Sequence, residues 1–215
     1  MRVKVKICGI TSNEDLATAV EAGADAVGFV VEVPSSPRTL TIERAEKMMI
    51  NIPVFVKNVV VTVPESLNEL TEIYSRLKPD ILQIHGHNLS DSALPEKFAN
   101  TRFIGAVQAK SDRVVEEAVK AANTFDAVLV DSFVPGRFGG TGIVHDWKLS
   151  RRVKRVIHPK PLILAGGLNP ENVRNAVRAV KPYAVDVSTG VESRPGIKDP
   201  NKVFAFIEKA KEVNV

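Results

Sequence analysis

The chain has 215 residues, 44% hydrophobic and 25% charged, with one cysteine and a formal net charge of +4. That apolar share excludes extended disorder, and one cysteine excludes both an internal disulfide and a four-cysteine zinc site. The positive balance is small and spread out, densest at Arg151, Arg152, Lys154 and Arg155, and no apolar run approaches the ~18 residues of a membrane span, so a small-molecule partner is expected rather than nucleic acid or membrane.

In chain order, Met1-Arg2-Val3-Lys4-Val5-Lys6 alternates charge with Val and reads as the start of a strand over Val3–Ile7, not as a signal peptide. A cytoplasmic protein with a reduced cysteine is the expectation. Thr11 and Glu14 form a capping box before a helix that Gly23 stops. Strand Ala26–Val30, a helix from Thr41 to Met49 and a strand over Val54–Val61 follow, and Pro64 opens a helix carrying Leu67, Leu70, Ile73 and Leu77. Ile81–Ile84 is a strand and Ser90–Phe98 a weak helix. Strand Arg102–Val107 precedes a helix capped by Ser111 or Asp112, and strand Ala127–Val130 precedes a helix near Trp147–Val156. Strand Pro161–Leu164 leads to a helix capped by Asn169 with Pro170 at its first position. Ala184–Val187 is the last strand, and Asp199-Pro200 starts the last helix.

These elements make eight strand–helix units without a linker or a composition break. The expected architecture is a single α/β domain over residues 1–215, a (β/α)₈ barrel, with a doubly wound open sheet as runner-up. Barrel active sites lie at the C-terminal ends of the strands. Asp25, Asp80 and Asp126 precede their strands and sort to the opposite end, whereas Cys8, Gln83, His85 and Asp131 fall at the site end.

Three glycine-rich segments follow late strands: Gly139-Gly140-Thr141-Gly142, Ala165-Gly166-Gly167-Leu168 and Ser188-Thr189-Gly190. Glycine lets backbone N–H groups approach an anion, and loops seven and eight of barrels often hold phosphate. Cys8 is either a small buried core residue or a thiol at the cavity mouth able to act as base or nucleophile. Asp131 either caps its loop or is a general acid in a half-buried site. Arg38 is a solvated loop residue or a clamp for a carboxylate. His85 is structural or catalytic. The histidines lack ligand-like spacing, so no metal cluster is expected. In a closed barrel the first and sixth strands are separated by two others, which sets Cys8 and Asp131 facing each other across the mouth.

Lys6-Ile7-Cys8-Gly9-Ile10-Thr11, Ser36-Pro37-Arg38, Gln83-Ile84-His85-Gly86, Asp131-Ser132, Phe138-Gly139-Gly140-Thr141-Gly142, Ala165-Gly166-Gly167-Leu168 and Asp186-Val187-Ser188-Thr189-Gly190-Val191-Glu192 together resemble the phosphoribosylanthranilate isomerase family of tryptophan biosynthesis. The resemblance runs from residue 3 to the last helix. It implies a cofactor-free barrel that is a monomer or homodimer. The implied reaction is an Amadori rearrangement of N-(5-phosphoribosyl)anthranilate to 1-(2-carboxyphenylamino)-1-deoxyribulose 5-phosphate. It implies Asp131 as general acid, Cys8 as general base and Arg38 on the anthranilate carboxylate. Gln83, His85 and Asp186 would line the substrate site, and Gly142, Gly166, Gly167, Ser188, Thr189 and Gly190 would hold the phosphate. Against the family pattern, Val31-Glu32-Val33-Pro34-Ser35 replaces an aromatic and a Pro-Lys pair, Thr189 replaces a Ser, and Ile143 replaces a Lys. A barrel acting on another phosphosugar and a silent binding protein on the same scaffold are the competing readings; Cys8 disfavours the first, since the aminoaldose isomerase of histidine synthesis uses an Asp there.

Overall fold

The computed structural model describes residues 2–86, 98, 101–132 and 146–213. Eight parallel strands form the barrel: β1 (Lys4–Cys8), β2 (Ala26–Val31), β3 (Lys57–Thr62), β4 (Ile81–Ile84), β5 (Arg102–Ala109), β6 (Ala127–Ser132), β7 (Leu162–Leu164) and β8 (Ala184–Val187), and the two-residue strand Thr39–Leu40 adds to the edge of β2. Each pairs with its sequence neighbours, and β1 pairs with both β8 and β2, which closes the barrel. The helices described are α1 (Asn13–Glu21), α2 (Ile42–Met49), α3 (Leu67–Leu77), α4 (Val114–Thr124), α5 (Trp147–Val156), α6 (Val173–Val180) and α7 (Pro200–Lys211). A short hairpin, Glu192–Arg194 with Ile197–Lys198, follows β8.

Period-two alternation decides what each strand offers to each side. Val5 and Ile7, Leu82 and Ile84, Val128 and Val130, and Val185 and Val187 face outward into the core shared with the helices. The intervening positions turn into the barrel. Ile104, Leu129, Ile163, Ala165 and Ala184 fill its interior, beside a cluster of Cys8, Val59 and Val61. Lys6, Gln83, Asp131 and Asp186 occupy the same inward set and are buried.

The N-terminal end of the barrel carries a repeated tie. Asp25, Asp80 and Asp126, each just before an even-numbered strand, accept the backbone N–H of Val5, Asn58 and Phe103. Each also pairs with the cation one residue earlier, Lys4, Lys57 or Arg102. A carboxylate that accepts a backbone donor at a strand edge leaves no orphaned N–H there, so these three aspartates belong to stability.

Several boundaries differ from the sequence reading. Val54 and Phe55 are not in β3; they lie in the preceding turn, 85% and 95% exposed, and the strand starts at Lys57. The hydrophobic run misled because apolar character alone does not separate a strand from an exposed turn. At α1 the cap is Ser12, whose Oγ accepts from Asp15 N at 3.1 Å, while Thr11 donates to Gly196 O. α3 opens not at Pro64 but at Leu67, capped by Ser66. α4 starts after Arg113 without a side-chain cap, because Ser111 Oγ is spent on Arg113 N. Asn169 serves a turn one step earlier than expected: its Oδ1 accepts from Glu171 and Asn172 N, and α6 begins only at Val173. The Ser90–Phe98 helix lies outside the described residues except for Phe98, which packs edge-on against Tyr74 at 5.0 Å. Among the described residues no helix is long and apolar enough to cross a membrane.

Candidate active site

The C-terminal ends of the strands surround an open cavity, lined among others by Cys8, Arg38, Gln83, His85, Asp131 and Asp186. Cys8 enters from the end of β1 and Asp131 from β6, with β7 and β8 between them in the sheet. The cavity also touches Gly166, Gly167, Ser188, Thr189 and Gly190. Gly142 lies outside the described residues.

A chain of polar contacts crosses the barrel floor of this cavity. Lys6 Nζ on β1 donates to Asp186 Oδ1 on β8 at 2.9 Å and to Gln83 Oε1 on β4 at 2.9 Å. Since Gln83 gives its oxygen to Lys6, its amide N–H faces His85 Nε2, 2.8 Å away. His85 must accept there, so its proton sits on Nδ1. Burial, with Lys6 nearby, lowers the imidazole to about 4, which keeps it neutral. For Lys6 burial presses toward the neutral amine, but the charge and hydrogen bond of Asp186 act against it, and the amine lies above the ordinary lysine value.

Asp131 is 8% exposed, and its Oδ1 accepts from Ser132 N at 2.8 Å. Burial first, and the charge of Asp186 second, push its carboxyl up to about 7. A carboxylic acid that holds its proton near neutrality can donate it. Burial likewise pushes the Cys8 thiol up, against the downward pull of Lys6 and Lys198. The resting cysteine is therefore a thiol.

Arg38 is buried and already engaged. Its Nε and Nη2 bind Glu192 at 2.7 and 2.6 Å, in the two-pronged geometry that guanidinium and carboxylate share. Nη2 also reaches Thr189 Oγ1 at 3.2 Å. Lys198 Nζ, in the hairpin, adds a second cation on Glu192 at 3.0 Å. The fork that the sequence reading reserved for a substrate carboxylate is thus occupied by protein, and Nη1 is the edge left over.

Loops after β7 and β8 meet backbone to backbone. A Cβ on Gly190 would stand 1.8 Å from Leu168 O, and one on Gly166, whose φ is +83°, would stand 2.2 Å from Ser132 N. Only residues without a side chain allow this approach. Ser188 Oγ is buried there with no partner among the described residues. Among the described residues no group of three His, Cys, Asp or Glu is placed to hold a metal ion.

A family model described as N-(5'phosphoribosyl)anthranilate (PRA) isomerase matches residues 5–209. The chain belongs to this family. A curated N-(5'-phosphoribosyl)anthranilate isomerase of Methanothrix thermoacetophila is 43% identical over 210 residues, covering 97% of this chain and 98% of that one. The crystal structure of phosphoribosyl anthranilate isomerase from Thermotoga maritima superposes with a TM-score of 0.86 at 39% identity, over 98% of this chain and all of the other. A phosphoribosyl anthranilate isomerase in complex with reduced 1-(o-carboxyphenylamino)-1-deoxyribulose 5-phosphate matches with a TM-score of 0.80 at 38% identity, over 98% and 100% of the two chains.

Within this isomerase fold, three charged residues of the cavity region stand outside the set read from sequence: Lys6, Glu192 and Lys198. Lys6 carried a usable signal, since it lies two residues before Cys8 on one strand and must share its face. Glu192 closes the last quoted motif, but neither it nor Lys198 carried a local sign of its pairing with Arg38, because the hairpin that folds them under Arg38 is a long-range arrangement.

Proposed function

We propose that the chain isomerises N-(5'-phosphoribosyl)anthranilate by general acid–base catalysis, with Asp131 as acid and Cys8 as base. Asp131 gives its proton to the ribose ring oxygen as the C1–O bond breaks, and the nitrogen lone pair forms the Schiff base. The Cys8 thiolate then takes the proton from C2. The electron pair released makes the enolamine, which tautomerises to the ketone. No redox partner is needed, since oxidation at C2 balances reduction at C1 within one molecule. The observation that carries this reading is the pairing of a carboxyl held protonated near pH 7 with the chain's single thiol, on strands β6 and β1 of one cavity.

The remaining parts have matching tasks. Arg38, fixed by Glu192 and Thr189, turns Nη1 to the anthranilate carboxylate. The backbone N–H groups around Gly166, Gly167, Ser188, Thr189 and Gly190 receive the phosphate, with the unpartnered Ser188 hydroxyl as a further donor. Gln83, His85 and Asp186 line the sugar. The test is substitution at the two catalytic positions. Cys8→Ser and Asp131→Asn should each lower kcat about a hundredfold or more, with circular dichroism and melting close to the parent. Near-normal turnover in either variant would remove that residue from its role.

A further inference from the structure

Lys6 is a buried charge to which the proposed chemistry assigns no task. An ammonium 4% exposed inside a barrel is expensive to keep, and Asp186 alone explains how it is tolerated, not why it is there. Its location is informative. Lys6 and Cys8 lie two apart on β1 and both point inward. Gly28 on β2 stands opposite Cys8 in the sheet. A Cβ on Gly28 would fall 2.8 Å from Cys8 Sγ and 3.0 Å from Lys6 Cε. Sulfur and lysine stem therefore border one small space that the bare glycine leaves open. The charges acting on the sulfur are Lys6 from its own strand, Asp186 from β8, Lys198 from the hairpin and Arg38 from the loop after β2. Lys6 shares the strand face of the sulfur and is held by Asp186 and Gln83 at 2.9 Å each, whereas Arg38 and Lys198 are both drawn to Glu192.

We propose that Lys6 is a positioning residue for Cys8: its ammonium, fixed between Asp186 and Gln83, stabilises the thiolate that removes the sugar proton. The same ammonium orients Gln83 and through it the neutral His85. Burial pushes the thiol up and Lys6 is the largest charge effect in the other direction, which is the sense the proposal requires. The inference rests on Cys8 being the base, so the experiment reads the thiolate without turnover.

Cys8 is the chain's one cysteine, so its alkylation by iodoacetamide, followed by mass spectrometry across pH, reports the thiolate alone. In Lys6→Met the titration midpoint should rise by about one pH unit, and alkylation at a fixed pH below it should slow about tenfold. In that variant kcat should fall by a similar factor with KM changed far less. Lys6→Arg should restore most of the alkylation rate. Lys6→Gln, which removes the charge but keeps a polar group between Asp186 and Gln83, should slow alkylation in the same sense and serves should Lys6→Met fail to fold. An unchanged alkylation profile in folded Lys6→Met or Lys6→Gln would overturn the proposal. Failure of the base assignment reads differently: Cys8→Ser would then turn over normally while the alkylation shift in Lys6→Met persisted.

Discussion

At the scale of single residues, the pH dependence of turnover follows from two opposed requirements. The proposed mechanism needs Asp131 protonated and Cys8 ionised, yet burial pushes the carboxyl up to about 7 and holds the thiol above its ordinary range. Below pH 7 Asp131 keeps its proton and the thiolate fraction grows tenfold per pH unit. Above pH 7 each tenfold gain in thiolate is cancelled by an equal loss of protonated Asp131. We expect kcat/KM to rise up to about pH 7, stay level, and fall only when the thiol itself titrates. In Asp131→Asn the slow residual reaction should keep climbing through pH 7; a break that stays there belongs to another group. Cys8 and Asp131 were legible in the sequence because position at a strand end is a local property. Lys6 shares a face with Cys8, but that signal is masked because Arg2-Val3-Lys4-Val5-Lys6 looks like a strand with one charged, solvated face. In the fold Arg2 and Lys4 meet water, whereas Lys6 is drawn inside by partners on β4 and β8 that lie 77 and 180 residues away.

At the scale of elements, the loops after β7 and β8 stand or fall together. Gly190→Ala would drive a methyl group toward Leu168 O, which is backbone and cannot step aside as a side chain would. The expected cost is about 1–3 kcal/mol of stability, with KM for the phosphorylated substrate raised about tenfold. Thermal denaturation and steady-state kinetics check both; an unaltered KM would detach Gly190 from the phosphate. Strand positions were readable where apolar runs were buried, as at Ala184–Val187 and Ile81–Ile84. Caps were less so. Thr11 and Ser12 are adjacent hydroxyls, and only the route of the chain toward the hairpin turns Thr11 to Gly196 and leaves Ser12 to the helix. Val54 and Phe55 depart from a strand for a different reason: their hydrophobicity brings no burial, because the turn holds them in solvent.

At the scale of the whole molecule, closure joins parts that are remote in sequence. β1 is hydrogen-bonded to β8 and β2, so Cys8 and Asp186 come together only when the last strand docks on the first. The aspartate ties at one end of the barrel hold strands in place, and the cavity at the other end gathers acid, thiol, cations and glycine loops. Repetition made the eightfold plan readable, whereas the salt bridges that fix Arg38 from the far end of the chain were not. The central claim is that this assembly isomerises N-(5'-phosphoribosyl)anthranilate, and the fluorescence of that compound in the presence of the purified chain tests it most directly. The signal should decay catalytically, many turnovers per protein molecule, in buffer without added metal or cofactor. A fluorescence trace no faster than the protein-free control would contradict the account.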